Sequence, residues 1–193
     1  MDEHILRRLN VLIVEKSKVQ VKVVQWVKPR MGRLKLNLDG SYFGNPSPAS
    51  RGGLLRDYGG NLVFGFSKFF YSCSNNEAEL QAVIEGIKIC RQRGLMCIDI
   101  ECDSLLVVLW IRSRICTVWY LWDYWDELLM LLANFDFSIS HVFREGNQVA
   151  DALAKCGALG ENNIFIDCLH LPWVIRGLYR LDKMGTAYVS CRR

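Results

Sequence analysis

The chain has 193 residues, 51% of them hydrophobic and 23% charged, with a net charge of +4, which is enough apolar content for a buried core and too much for a disordered polymer. The apolar run LLVVLWI stops at Arg112, far short of the roughly 18 residues that span a bilayer. NVLIV near the start is followed too soon by Lys16 and Lys18 for a secretory signal, and the eight cysteines show no CxxC spacing, so a soluble intracellular protein without zinc, nuclear or cytoplasmic and not secreted, is expected.

Residues 1–35 hold nine Lys or Arg against three Asp or Glu, a bias that suits a polyanionic partner or a solvated arm. Residues 1–30 read as a basic N-terminal extension, and WVKPRMGR, with Pro29 and Gly32, reads as the boundary after it. Trp26 is expected to pack against the edge of the unit that follows. LKLNLD alternates Leu34, Leu36 and Leu38 with Lys35, Asn37 and Asp39, the pattern of a half-buried strand. A second strand is expected at about Gly52 to Asp57. YGGN turns the chain into a third, with Leu62, Phe64 and Phe66 on one face.

Leu80, Val83, Ile84 and Ile87 keep helical spacing between Asn75 and Arg93, and Gly94 ends the helix. CIDIECD is a strand, an amphipathic helix starts at Ser104, and VWYLWDYWDELLMLLANF is a further helix. FSISHVF is a strand, and a last helix begins at Asn147. The order βββαβααβα predicts an α/β (α+β) fold: a five-stranded mixed sheet, with three antiparallel meander strands, crossover connections to parallel neighbours and helices packed on it. The domain spans residues 31–159. Residues 160–193 form a C-terminal tail whose one apolar segment is LHLPWVIRGLYRLDKMG.

Four carboxylates stand out against this frame. Asp39 continues the polar series of its strand, Asp103 continues Asp99 and Glu101, and both lie where open α/β sheets bind ligands. On the helix, Ser74 and Glu77 make a capping box. Glu79 instead shares a stripe with Val83 and Gly86, which turns it toward the sheet, and Gly86 lets helix and sheet approach closely. Asp151 lies opposite the stripe Val149, Ala152, Leu153 and Cys156, where pairing with Lys155 would explain it, or in the first turns of its helix it would be a fourth ligand. Like charges about 4 Å apart repel by roughly 1 kcal/mol in water and about 4 kcal/mol at an effective dielectric near 20. The cluster therefore asks for a neutralising ion, and an oxygen-only donor set points to Mg²⁺ or Mn²⁺. Taken singly, Asp39 or Asp103 could be a turn former and Glu79 an ion-pair partner.

LKLNLDGS, GGLLRD, NNEAELQAVIEGI, IECDS and HVFREGNQVADALA, in that order, resemble the ribonuclease H family, over about residues 26–159. The similarity is greatest to the ribonuclease-H-like domains of plant proteins and plant retrotransposon polyproteins. The resemblance implies that Asp39, Glu79, Asp103 and Asp151 are DEDD metal ligands for two Mg²⁺ (or Mn²⁺) ions. Asp39 would bridge them, Glu79 and Asp103 would hold one side and Asp151 the other. It also implies an endonuclease acting on the RNA strand of an RNA-DNA hybrid, with Gly40, Ser41, Asn75, Asn76 and Ser104 as substrate-binding residues. Asn75 and Asn76 match the pair that reads 2′-hydroxyls in the minor groove, or they are helix-start residues.

Two departures bear on activity. The loop FREGN carries no histidine between His141 and Asp151, so Arg144 or Glu145 is the accessory candidate, and His141 reads as structural. IRSRICTVWY lacks the basic handle of some relatives, so weak, salt-sensitive hybrid binding is expected. The alternative is a catalytically weak or inactive nucleic-acid-binding module derived from a retroelement. An actin-like nucleotide-binding domain, which shares a DGS-type turn, is disfavoured by the short chain. A monomer with no membrane contact is expected.

Overall fold

The structure is a computed structural model that describes residues 20–42, 49–70, 74–160 and 162–192. Most of the basic extension and part of the GSYFGNPSPAS loop lie outside the described residues. Among the described residues no helix is long and apolar enough to cross a membrane.

The strands in chain order are β1 (Gln20–Gln25), β2 (Leu34–Tyr42), β3 (Ala49–Arg56), β4 (Leu62–Phe70), β5 (Cys97–Cys102), β6 (Asp136–His141), β7 (Asn163–Phe165) and β8 (Ala187–Arg192). The helices in chain order are α1 (Asn75–Gln92), α2 (Leu105–Ser113), α3 (Trp122–Leu132), α4 (Gln148–Gly157) and α5 (Trp173–Met184). A 3-10 turn at Trp119–Leu121 leads into α3. The main sheet runs β6-β5-β2-β3-β4-β7, and β1 pairs with β8 in a separate ribbon. β2, β3 and β4 form the antiparallel meander. β2 with β5, and β5 with β6, are parallel, as the crossovers require.

The main sheet therefore has six strands rather than five. The sixth, β7, is a three-residue edge strand on β4, too short to show alternation. The meander holds one more difference. The register shifts between Leu55 and Arg56, so that Leu55 faces Phe64 while Arg56 faces Leu62. This bulge keeps Phe64 and Phe66 in one core and turns Leu62 to the other face.

Two cores lie on the two faces of the sheet. Leu36, Leu38, Ile98 and Ile100 meet Leu80, Val83, Ile84 and Ile87 of α1, together with Val107, Val108, Trp125 and Leu128. Gly86 sits where a Cβ would come within 2.7 Å of Leu38 Cδ2, so α1 lies as close to β2 as its stripe predicts. On the opposite face Leu54 meets Val149, Ala150 and Leu153 of α4, and Leu171, Ile175 and Tyr179 cover them. The C-terminal segment therefore builds a share of the second core, through β7, α5 and the turn between them.

The buried stripe of α4 is Val149, Ala150, Leu153, Ala154 and Gly157. It is rotated from the expected one because Ala154, as a small residue, lets the helix backbone settle onto β3. Ser50 Oγ donates to the Ala154 carbonyl at 2.5 Å. A Cβ on Gly52 would lie 2.1 Å from Ala154 N. Asp151 thus sits at the margin of the buried stripe rather than opposite to it.

Candidate active site

Parallel pairing of β2 and β5 ends at Leu38 and Cys102. The residues immediately beyond are Asp39 and Asp103, so strand register alone brings the two carboxylates together. Asp39 is not at a strand end: β2 continues to Tyr42 by pairing with β3 alone. β5 stops at Cys102, and Ser104 then caps α2 by accepting from Val107 N at 3.4 Å. The opening left where β5 ends is a cleft of about 340 Å³ lined by Asp39, Gly40, Ser41, Tyr42, Asn75, Glu79, Asp103, Ser104 and Arg144.

Glu79 reaches this cleft from α1. Ser74 caps the helix by accepting from Glu77 N at 3.3 Å, which sets the turn on which Glu79 faces inward. Glu79 Oε2 then accepts from Gly40 N at 3.1 Å. Gly40 is needed for this contact, because a Cβ there would lie 2.4 Å from Ala78 C and Glu79 N.

Asp39 is 3% and Glu79 6% exposed. Burial, then the neighbouring Glu79 and Asp103, and then Asp151, hold the Asp39 carboxyl well above its usual range. Burial and the Asp103 charge push Glu79 up to about 8. Asp103 Oδ1 is buried without a hydrogen-bond partner. Oxygens of Glu79 and Asp103 lie, with Cys102 Sγ, within 4.8 Å of one another. A buried carboxylate oxygen with no donor, beside two carboxyls held above their usual range, fits a hard divalent cation, which would supply the missing partner.

Cys102 lies beneath the Glu79 and Asp103 pair. Burial, and then the Glu79 charge, push its thiol well above the ordinary range. Sγ keeps its proton and donates toward Glu79 Oε2 at 3.8 Å.

Asp151 stands at the rim and does not line the cleft. Its Oδ1 accepts from Arg144 Nη2 at 2.8 Å and its Oδ2 from Lys155 Nζ at 2.5 Å. The Lys155 partner expected for Asp151 is present, and the Asp151 charge is also felt by Asp39. Arg144, 70% exposed in its side chain, spans from Asp151 to the cleft. Among the other candidates, Gly40, Ser41, Asn75 and Ser104 line the cleft, whereas Asn76 and Glu145 do not.

The residues missed in sequence were Cys102 and Asn147, while His141, read as structural, takes such a place. His141 Nε2 lies 3.1 Å from the Asp103 carbonyl, which fastens the end of β5 to β6. Asn147 is buried, and its Nδ2 donates to the Leu38 carbonyl at 2.9 Å. The alternation of Ile98, Ile100 and Cys102 placed the thiol on the α1 side. Nothing local announced the partners of His141 and Asn147, which lie 38 and 109 residues away.

Residues 37–157 match the family model described as reverse transcriptase-like. A ribonuclease H protein of Arabidopsis thaliana is 32% identical over 186 residues, covering 92% of this chain and 28% of its own length. The chain thus spans under a third of that plant relative. Ribonuclease HI of Halobacterium salinarum is 31% identical over 164 residues, 80% of this chain and 78% of that protein. The crystal structure of RNase H1 from the same archaeon superposes with a TM-score of 0.63 at 31% identity, over 67% of this chain and 100% of that one. LC11-RNase H1, solved in complex with an RNA/DNA hybrid, shares the fold with a TM-score of 0.60 at 23% identity, over 66% of this chain and 97% of that one.

Proposed function

Because the chain belongs to the ribonuclease H family, we propose that it is a divalent-metal-dependent endonuclease that hydrolyses the RNA strand of RNA-DNA hybrids. The observation that carries this reading is the buried, unpartnered Asp103 Oδ1 beside Asp39 and Glu79. Among the described residues Asp39, Glu79 and Asp103 form no ion pair, and Arg144 acts on them only from the cleft rim; such a cluster is a cost that a purely structural domain would have no reason to keep.

Asp39, Glu79, Asp103 and Asp151 would hold two Mg²⁺ or Mn²⁺ ions. The chemistry supplied by such ions is activation of a water and charge stabilisation of the departing 3′ oxygen in an in-line attack on the phosphodiester. The chain's own residues do the rest. Gly40 N and the Cys102 thiol aim Glu79, and the end of β5 aims Asp103. Ser41, Asn75 and Ser104 offer hydroxyl and amide groups along the cleft, the chemistry that distinguishes a 2′-hydroxyl from its absence. Arg144 can follow Asp151 or turn to a phosphate, since its guanidinium is exposed and donates in a fork.

One observation favours a second reading, an inactive nucleic-acid-binding module: both Asp151 oxygens are already taken by Arg144 and Lys155. Incubation of the chain with a labelled RNA-DNA hybrid and Mg²⁺ or Mn²⁺, beside Asp39→Asn, separates the two. Cleavage to 5′-phosphate and 3′-hydroxyl ends that is lost in the variant is the expected result. Hybrid binding without cleavage under either metal would overturn the enzyme in favour of the binding module.

A further inference from the structure

β1, α5 and β8 lie outside residues 37–157, the part matched by the family model. α5 and the Trp26 segment meet the matched part at a buried polar chain. Arg56 on β3 is 1% exposed. Its Nη1 donates to Asp182 Oδ2 of α5 at 2.9 Å and its Nη2 to Asn37 Oδ1 at 2.7 Å. The guanidinium lies over the Trp26 ring, 3.5 Å from its centroid. Trp26 Nε1 donates to the same Asn37 Oδ1 at 2.9 Å.

From Asn37 the chain runs on toward the cleft. Asn37 Nδ2 donates to Glu101 Oε2 at 2.9 Å and toward Asn147 Oδ1 at 3.4 Å. Asn147 Nδ2 donates to the Leu38 carbonyl, one residue before Asp39. The Asn147 carbonyl accepts from Asp151 N at 3.0 Å.

We propose that Trp26, Arg56, Asn37, Asn147 and Asp182 are positioning residues for Asp39 and Asp151, so that the arm and the C-terminal helix belong to the catalytic scaffold. The proposal rests on the ribonuclease reading above for what the carboxylates do. The reason is amide orientation. A side-chain amide has one accepting and one donating end. Two donors, from Arg56 and Trp26, fix Asn37 Oδ1 toward themselves and so turn Nδ2 toward Glu101 and Asn147. Asn147 must then present Oδ1 to Asn37, which leaves its own Nδ2 for the Leu38 carbonyl. A flipped Asn37 would set NH₂ against two donors and oxygen against two acceptors. The orientation set at Asp182 and Trp26 thus reaches the peptide that carries Asp39 and the helix start that carries Asp151.

A buried ion pair can often be exchanged for apolar residues without loss of stability, and this separates positioning from mere support. The paired replacement Arg56→Met with Asp182→Leu removes the pair, and Trp26→Phe removes one donor while leaving a ring. Each full-length variant is to be assayed for kcat and KM on hybrid. In parallel, the amide resonances of Gly40 and Asp151 are followed in metal-free protein and during Mg²⁺ titration without nucleic acid. The paired variant should keep its KM, lose about tenfold in kcat and in Mg²⁺ affinity, as outer partners of metal ligands typically do, and shift both amides. Trp26→Phe should move every readout in the same direction by less, and it carries the test if the paired variant does not fold. Unchanged amide positions and an unchanged Mg²⁺ midpoint in a folded variant would overturn the proposal. A wild-type chain that binds Mg²⁺ but cleaves nothing would overturn the enzymatic reading alone, because the amide and Mg²⁺ readouts still judge the positioning.

Discussion

Glu79 carries a direct pH signature. Its carboxyl moves from an ordinary 4.5 in the unfolded chain to about 8 in the fold. Between those values the unfolded chain has released this proton while the folded chain still holds it, so metal-free stability falls as pH rises through that window. Glu79→Gln removes the effect. The difference in Tm between variant and wild type, measured in chelator from pH 5 to 8, should therefore grow in favour of the variant, and parallel curves would refute the assignment. Because bound metal must displace the same proton, Mg²⁺ affinity should rise over that pH range. Arg144 makes a different prediction. Its pair with Asp151 is largely exposed on the arginine side, and such pairs contribute at most about 1 kcal/mol. Arg144→Ala should thus leave the Tm nearly in place and hybrid affinity nearly intact, while turnover falls by about tenfold if Asp151 needs a partner to aim it. An unchanged kcat would discard that role.

For the elements, the decisive contact is the docking of α1 on β2. Gly40→Ala would drive a Cβ to 2.4 Å from backbone atoms of Ala78 and Glu79, so the helix must shift rather than a side chain rotate. Overpacking of this kind costs about 1–3 kcal/mol, readable in a urea melt, and hybrid cleavage should fall further than that stability loss explains because the displaced helix draws Glu79 away from the residue 40 N–H, which alanine retains. The elements from β2 to α4 were legible because their signals are local: alternation in LKLNLD, helical spacing from Leu80 to Ile87, a cap at Ser74 and a stop at Gly94. β7, α5 and β8 were not. The core positions of α5 are Ile175, Tyr179 and Asp182. A buried aspartate reads as a surface residue until its partner is known, and Arg56 lies 126 residues upstream. The same limit governed the candidate site. Asp39 and Asp103 followed from strand parity and crossover topology, whereas Arg144 as a partner of Asp151 depended on the path of a loop that no periodicity describes.

Over the whole molecule, the second core cannot be completed without the C-terminal segment. Phe165, Leu171, Ile175 and Tyr179 cover Leu54, Val149 and Leu153. Burying each such side chain contributes roughly 1.5–3 kcal/mol, and the sum rivals the roughly 5–15 kcal/mol of a typical domain. Truncation after Gly160 would also strand Arg56 without Asp182. The truncated chain should show no cooperative melt by circular dichroism, and a transition close to that of the full chain would refute this assignment. The cysteines among the described residues add a consequence of another kind. Cys191 is exposed, Cys97, Cys156 and Cys168 are half-buried, and Cys90, Cys102 and Cys116 are buried. They form a natural set of depth gauges, one of them directly beneath Glu79. A thiol reagent should mark Cys191 at once and reach Cys102 only when the strand ends part. The order of labelling would then chart, with no engineered probe, how often the floor of the carboxylate cleft opens to solvent.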